Sequence, residues 1–296
     1  YKEMMVNEHV FIIRANYLIK QKYLFAFLFS KYGQRLIKEN ITGQAQGGIN
    51  YANLQSIKIP LPPLDVQKQI IIEIEGIEKQ NQRSDDRIRK LRQHLESIFD
   101  YPVNNLTQAR LGQIVECNPS KSELSKLSDD TIISFVDMAS VSNDGYITNA
   151  VDRPLSDVRK GSYTYFQEND IIVAKITPCM ENGKCALATG LTNNIGMGSS
   201  EFHVFRCSNN IIPRYLFGFF NRRIIRKEAE KRMTGASGHR RGPISFYENL
   251  TVPLPSLSKQ QGMVVEIERI ETEIIKIQAK LDDLKVAKES VLKKYL

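Results

Sequence analysis

Ile70-Ile71-Ile72-Glu73-Ile74-Glu75-Gly76-Ile77 has a counterpart 193 residues later, Met263-Val264-Val265-Glu266-Ile267-Glu268-Arg269-Ile270. In the first copy apolar residues fall at alternating steps of four and three. They are Ile70, Ile74 and Ile77, then Ile88, Leu91, Leu95 and Ile98, with Asn81 and Ser84 on the same seam. This alternation places side chains on one narrow stripe of a helix, the a and d positions of a coiled coil. The second copy reads Met263, Ile267, Ile270, Ile274, Ile277, Leu281, Leu284, Lys288 and Val291, each rung 193 residues after its counterpart. Two apolar stripes in one chain predict that the helices pack on each other. With the repeated units related by a pseudo-two-fold axis, the packing is antiparallel, and Asn81 and Ser84 specify its register at some cost in stability.

The repeat extends upstream of both helices. Ile59-Pro60-Leu61-Pro62-Pro63-Leu64 followed by Gln67 matches Val252-Pro253-Leu254-Pro255-Ser256-Leu257 followed by Gln260. Leu24-Phe25-Ala26-Phe27 matches Leu216-Phe217-Gly218-Phe219, and Thr42-Gly43 matches Thr234-Gly235, at an offset of 192. Solenoids repeat every 20 to 50 residues; a domain-sized period points to duplication of a domain together with its helix. Residues 57–61 read as a short strand stopped by Pro62-Pro63, and Asp65 stands where an N-cap is wanted. The first helix is predicted from about Val66 to Phe99, about 50 Å long at 1.5 Å per residue, and the second from about Lys259 to Tyr295.

Elsewhere, Val10-Phe11-Ile12-Ile13 suits a buried strand, and residues 17–38 read as one helix. The glycine-rich residues 42–48 read as a loop. Residues 109–255 carry three strand-like runs, Thr131–Val136, Asp170–Lys175 and Glu201–Phe205, rich in β-branched and aromatic residues. Asn143-Asp144-Gly145 and Glu181-Asn182-Gly183-Lys184 are turn signals. Pro213 to Arg232 reads as a helix and Gly235 to Gly242 as a basic loop. The class is α+β.

With 296 residues, 42% of them hydrophobic, the chain is long enough for about two domains. No apolar run approaches the ~18 residues of a membrane span, and no signal peptide is legible. The start at Tyr1, without an initiator Met, reads as an N-terminal shortening. Cys117, Cys179, Cys185 and Cys207 form no CxxC pair and do not cluster with His9, His94, His203 or His239. They read as reduced structural thiols of a cytoplasmic protein, with no metal site.

No phosphate-binding glycine loop, nucleophile elbow or His-Glu-x-x-His is present. A glycine-rich methyl-donor fingerprint is missing, and so is an Asn/Asp-Pro-Pro-aromatic loop; Asn118-Pro119-Ser120 reads as a turn. Asp137 and Asp170 read as strand-end caps rather than as a nuclease pair.

A net charge of +8 and a pI near 9.2 suit a polyanionic partner. The charge is concentrated: Arg222, Arg223, Arg226, Lys227, Lys231 and Arg232 read as a solvated helix face. The loop holding Ser237, Gly238, His239, Arg240 and Arg241 is the stronger candidate for DNA. Glycines admit close approach, small hydroxyls donate to phosphate, and Arg or His can reach base edges. Lys175, Thr177, Asn182 and Lys184 form a second polar rim, and Ser199 and Ser200 of Gly196-Met197-Gly198-Ser199-Ser200 a third. Gln44, Gln46 and Asn50 are the candidates in the first domain.

The order domain, Leu-Pro-Pro-Leu-x-x-Gln, long helix, domain, Leu-Pro-x-Leu-x-x-Gln, long helix resembles the specificity subunit of type I restriction–modification systems. Lys175-Ile176-Thr177-Pro178-Cys179-Met180-Glu181-Asn182-Gly183-Lys184 and the run from Gly196 to Phe202 are similar to segments of that family's target-recognition domains. The resemblance implies duplicated target-recognition domains joined by two long helices forming an antiparallel coiled coil. The parts would be 1–64, the end of a first recognition domain; 65–100, the first helix; 101–257, a second recognition domain; and 258–296, the second helix.

It further implies a non-catalytic DNA reader. Each domain would read one half of a bipartite site on double-stranded DNA, and the helices would fix the spacer and dock two modification (methyltransferase) subunits. No cofactor is expected in this chain; S-adenosylmethionine, ATP and Mg2+ would act on the modification and restriction subunits. No membrane partner is implied. Residue 1 aligns near residue 193, so the first domain is expected to lack the counterpart of roughly 109–192. A naturally shortened chain of this kind could pair as a homodimer. Two other readings stay open on residues alone: the recognition region of a fused restriction–methyltransferase, and a coiled-coil scaffold that binds protein.

Overall fold

A computed structural model describes residues 10–41, 48–100, 107–236 and 238–295. The chain divides into two units, residues 1–90 with 273–296, and residues 91–272. None of the described helices is long and apolar enough to cross a membrane.

The first unit is helical. It contains α1 (Gln21–Phe29), α2 (Lys31–Glu39) and α3 (Tyr51–Ser56). To these it adds most of α4 (Leu64–Ser97) and the last part of α9 (Leu257–Tyr295). The two long helices pack along the predicted seam. Ile70, Ile74 and Ile88 are buried on α4, Leu281 and Val291 on α9, while Gln82, Arg83 and Asp85 beside the seam are exposed. Burying each such aliphatic side chain is worth roughly 1.5–3 kcal/mol, so the stripe itself holds the pair together. The direction is antiparallel, because cross-helix ion pairs rise along one helix as they fall along the other. Glu73 meets Lys294 at 3.0 Å, Glu78 meets Lys288 at 2.7 Å and Arg87 meets Glu273 at 2.7 Å. These exposed pairs set direction more than stability. α1 adds Tyr23 to the cluster of Ile70, Ile74, Val291 and Leu292.

Four expectations need correcting here. Residues 17–38 form two helices rather than one. Ser30 adopts an extended conformation between them, and its Oγ accepts from Gly33 N at 3.1 Å, capping α2. A Cβ at Gly33 would collide with the Phe27 carbonyl, so the tight corner requires glycine there. Residues 10–13 and 57–61 are not strands, and 10–13 are exposed; a strand exists only beside another, and neither segment has a neighbouring strand among the described residues. Asp65 lies within the first turn of α4 instead of capping it, where its charge still favours the helix dipole.

The second unit carries the sheets. β1 (Gln108–Arg110) pairs antiparallel with β10 (Thr251–Pro253). A four-stranded sheet has the order β2 (Val115–Cys117), β9 (Phe202–Cys207), β6 (Ile171–Ala174), β7 (Cys185–Leu187). A second has the order β4 (Val151–Pro154), β3 (Ile132–Val136), β8 (Ile195–Gly198), β5 (Thr164–Gln167). All four residues of β6 are buried, as expected of a strand covered on both faces, which reads as an apolar run instead of an alternation.

After the short α5 (Ser156–Arg159), helices α6 (Pro213–Phe220), α7 (Arg223–Lys231) and α8 (Ile244–Glu248) close over the first sheet. The core joins Phe205, Tyr215, Phe220 and Tyr247 to Phe99, Met263 and Ile267. The single helix expected over 213–232 is broken at Arg222, which is extended. Its guanidinium bonds Asp100 at 2.6 Å, and Glu96 accepts from Arg223 N at 2.6 Å. The new helix start is satisfied from α4, which lets both Phe219–Phe220 and Ile225–Ala229 face the core.

Both units repeat one device. Gln67 and Gln260 are each fully buried. The Gln67 amide donates to the carbonyls of Leu18 (3.0 Å) and Pro62 (2.9 Å) and accepts from Lys20 N (2.8 Å). Gln260 donates to Asn210 (3.0 Å) and Pro255 (2.9 Å) and accepts from Ile212 N (2.8 Å). Tyr23 donates to Pro60 O and Tyr215 to Pro253 O, at 2.9 and 2.8 Å. The proline segment and the start of each long helix are clamped to the helix hairpin by these amides. Buried polar groups fully paired in this way give a single arrangement.

Candidate nucleic-acid interface

In the sheet β2-β9-β6-β7 every neighbouring pair is antiparallel. The ends of β2 and β6 and the starts of β9 and β7 therefore share one edge, from which the loop 175–184 and the turn 199–201 emerge. The loop 234–242 is tied to that same edge. Thr177 N donates to Arg240 O and Arg240 N to Thr177 Oγ1, both at 3.0 Å. Gly242 N donates to Lys175 O at 2.8 Å, and Lys175 N to Glu201 O at 2.9 Å. The structure thus brings Lys175, Thr177, Asn182, Lys184, Ser199, Ser200, Gly238, His239, Arg240 and Arg241 to one rim. Asn182, Ser200, Gly238, His239 and Arg241 are exposed. Gln44, Gln46 and Ser237 lie outside the described residues. Asn50 belongs to the first unit, where its side chain accepts from Asn53 N at 2.8 Å and caps α3.

Backbone geometry explains two of the glycines. Gly235 has φ of 126°, and a Cβ there would sit 2.8 Å from the His239 carbonyl oxygen. Gly183 has φ of 83° and lies against the Arg226 guanidinium, which a Cβ would displace. Arg226 is therefore another cation at this rim rather than part of a solvated helix face. A second unforeseen contact is Lys184 Nζ, which donates to Met138 O at 2.7 Å and ties the loop to the strand end at 136–138. Contacts over 40 residues or more leave no local signal in the chain.

The two loop arginines are held by acids. Arg240 Nη2 bonds Glu181 at 2.7 Å. Arg241 donates from Nε to both Glu201 oxygens at 3.2 and 3.0 Å, and from Nη2 at 2.7 Å. Hydrogen bonding from Arg241 holds the Glu201 carboxyl below the usual carboxylate range. Behind them, the His203 Nε2–H donates to Gly242 O at 2.9 Å, and burial lowers the imidazole's affinity for a proton.

Among the described residues, three cysteines and the two aspartates considered above have structural surroundings. Burial pushes the thiols of Cys185 and Cys207 up to about 12 and that of Cys117 to about 11, far from a nucleophilic thiolate. Asp137 accepts from Ser140 N and Oγ at 2.7 and 2.8 Å, and Asp170 pairs with Arg206 at 2.8 Å. Each carboxylate has a structural task. Asn118, in a left-handed conformation with φ of 51°, exchanges hydrogen bonds with Val204 and makes the turn expected of it.

Among known proteins, a family model described as the type I restriction modification DNA specificity domain matches residues 1–92 and 105–285. The chain is 40% identical over 163 residues to the Type I restriction enzyme EcoAI specificity subunit of Escherichia coli, covering 54% of this chain and 27% of that protein. It is 35% identical over 157 residues to the EcoEI specificity subunit of the same organism, covering 52% and 26%. The match thus spans about a quarter of the length of these curated relatives. A solved structure concerning complex assembly and conformational transition of the type I R-M system is similar in fold. Its TM-score is 0.56 at 15% identity, over 96% of this chain and 73% of the other.

Proposed function

This chain belongs to the type I restriction modification DNA specificity domain family, and from that premise we propose that it is a DNA-recognition chain whose second unit reads duplex DNA at the rim described above. The observation that carries the reading is the convergence of three loops, distant in sequence, on one sheet edge rich in Lys and Arg. Phosphate contacts from such a rim position a duplex, and side chains that reach base edges select its sequence. The chain contributes no reacting group. Methyl transfer with S-adenosylmethionine, and cleavage with ATP and Mg2+, belong to modification and restriction subunits that assemble with it, two modification subunits among them. The paired helices offer the docking surface and set the spacer between half-sites.

The test is binding of the full chain to a random duplex library across a salt series. The Arg240→Ala/Arg241→Ala double variant should weaken binding at least ten-fold, and the affinity of the unaltered chain should fall linearly with the logarithm of salt, as phosphate contacts along the rim require. Unchanged affinity would place the interface elsewhere. Exchange of residues 109–255 for those of another family member should alter one half-site only.

A further inference from the structure

We infer that Glu201 and Glu181 are positioning residues that present Arg241 and Arg240 to base edges, so that the sequence read by the second unit contains guanine. This rests on the rim being the DNA-binding face, and it concerns what the rim reads once bound.

The geometry of Arg241 carries the inference. Glu201 takes the Nε–H and one Nη2–H, the side-on edge of the guanidinium. Among the described residues the end-on edge, Nη1 with the remaining Nη2 hydrogen, has no partner and keeps a complete two-pronged fork. That fork matches O6 and N7 of guanine in the major groove. Exposure falls the right way round. Arg241 is 52% exposed over a Glu201 that is 23% exposed, and Arg240 is 38% exposed over a Glu181 at 24%. In both pairs the acid lies inside and the arginine outside.

Both backbones are fixed as well. Arg241 exchanges hydrogen bonds with Thr234 at 2.8 and 3.1 Å, and Arg240 with Thr177. Glu201 is fixed in turn, its N–H donating to Ser199 Oγ at 3.2 Å and its carbonyl accepting from Lys175. For arginines that merely neutralise phosphate, two adjacent carboxylates would be counterproductive, since each subtracts from the attraction. They make sense if orientation is what the site needs.

The experiment is selection of bound sequences by the full chain from a random duplex library, with total affinity measured alongside, for the unaltered protein, Glu201→Gln and Arg241→Lys. The unaltered chain should select a motif with at least one invariant guanine. Glu201→Gln should keep total affinity within about two-fold while discrimination at one guanine falls about ten-fold, equivalent to about 1.4 kcal/mol. Arg241→Lys, an exposed change that keeps the charge, should show the same loss and carries the test if Glu201→Gln does not fold. Restoration by Glu201→Asp would separate orientation from mere loop support. A rise in affinity that is equal for all sequences, or a motif unchanged at every position, overturns the inference while leaving DNA binding intact. If the unaltered chain selects no motif, the broader reading fails with it.

Discussion

The two units share a sequence pattern, and each resolves it differently. Offset by 192 residues, Val10-Phe11-Ile12-Ile13 corresponds to Phe202-His203-Val204-Phe205, and Phe25 corresponds to Phe217. In the second unit this segment is the inner strand β9, with Phe205 fully buried and Phe217 4% exposed. In the first, Ile13 is 46% and Phe25 57% exposed. The clamps around Gln67 and Gln260 nevertheless agree to within 0.1 Å. Short-range features, the hairpin, the proline segment and the start of the long helix, come from local residues alone. A strand and a binding rim need residues 109–201 beside them, and only the second unit shows them.

The sharpest way to break this comparison is to mutate matched positions. Phe205→Ala removes a ring that meets Phe220 and Tyr247 at 5.0 and 5.1 Å between centroids. It should cost about 3–5 kcal/mol and abolish hydrogen-exchange protection across the second unit. Ile13→Ala, at the matched position, should cost less than about 0.5 kcal/mol. Comparable losses at the two positions in urea unfolding would mean that residues 10–13 are buried in the working protein.

Where the units agree, paired variants should agree too. Gln260→Leu strands two carbonyls and an amide in a buried place, for a loss of about 2–4 kcal/mol, and Gln67→Leu should match it within about 1 kcal/mol. A near-neutral Gln67→Leu would show that the first clamp is not held by its own unit.

Much of this was legible in the chain. The seam from Ile70 to Ile98 and its copy from Met263 to Val291 were read off their four-three spacing, because heptad packing is a one-dimensional pattern. The three loops of the rim were each visible as glycine and small polar residues among cations. Their convergence was not, since Thr177–Arg240 and Arg241–Glu201 join positions 63 and 40 residues apart. The breaks at Ser30 and Arg222 were hidden for a related reason. Helical periodicity runs through both corners, and it takes the Ser30 hydroxyl or the distant Glu96 to satisfy a new helix start. The strand expected at 10–13 failed because apolar residues announce a preference for burial without supplying the neighbour that buries them.

A titration separates the units next. His203 is matched by Phe11, so only the second unit carries this group. Burial lowers its folded-state pKa below the ordinary value of about 6.5. Above that pH the imidazole is neutral whether folded or unfolded, and it has no effect on stability. As pH falls below about 6.5 the unfolded chain takes up a proton that the folded chain resists, so stability drops. Glu201, also lowered, is lost only at more acid pH, below the ordinary range of a free glutamate. Protection of the second unit should therefore decline between about pH 6.5 and 5 while that of the first stays level, and His203→Gln should flatten the decline. An unchanged slope in that variant would assign the titration to another group.

The smallest effect lies in the helices. Asn81 is matched by Ile274 in the second helix, and its Oδ1 is buried without a hydrogen-bond partner among the described residues. An unpaired buried acceptor costs about 1–3 kcal/mol, and part of that is recovered when a side chain of suitable shape replaces it. Asn81→Ile should therefore raise the stability of the helix pair by about 1 kcal/mol, seen as a higher urea midpoint at an unchanged m-value. The gain should come with a loss of specificity. Asn81 lies on the seam between the Glu78–Lys288 and Arg87–Glu273 pairs, where a slipped register would place it among different neighbours. With isoleucine on both stripes, slipped and parallel pairings become less unfavourable. Self-association on sedimentation at raised concentration, together with the higher midpoint, would mark Asn81 as a residue that specifies register at the expense of stability. A variant that is less stable would instead mean that the amide has a partner in the working protein, with solvent or a docked subunit the places to look.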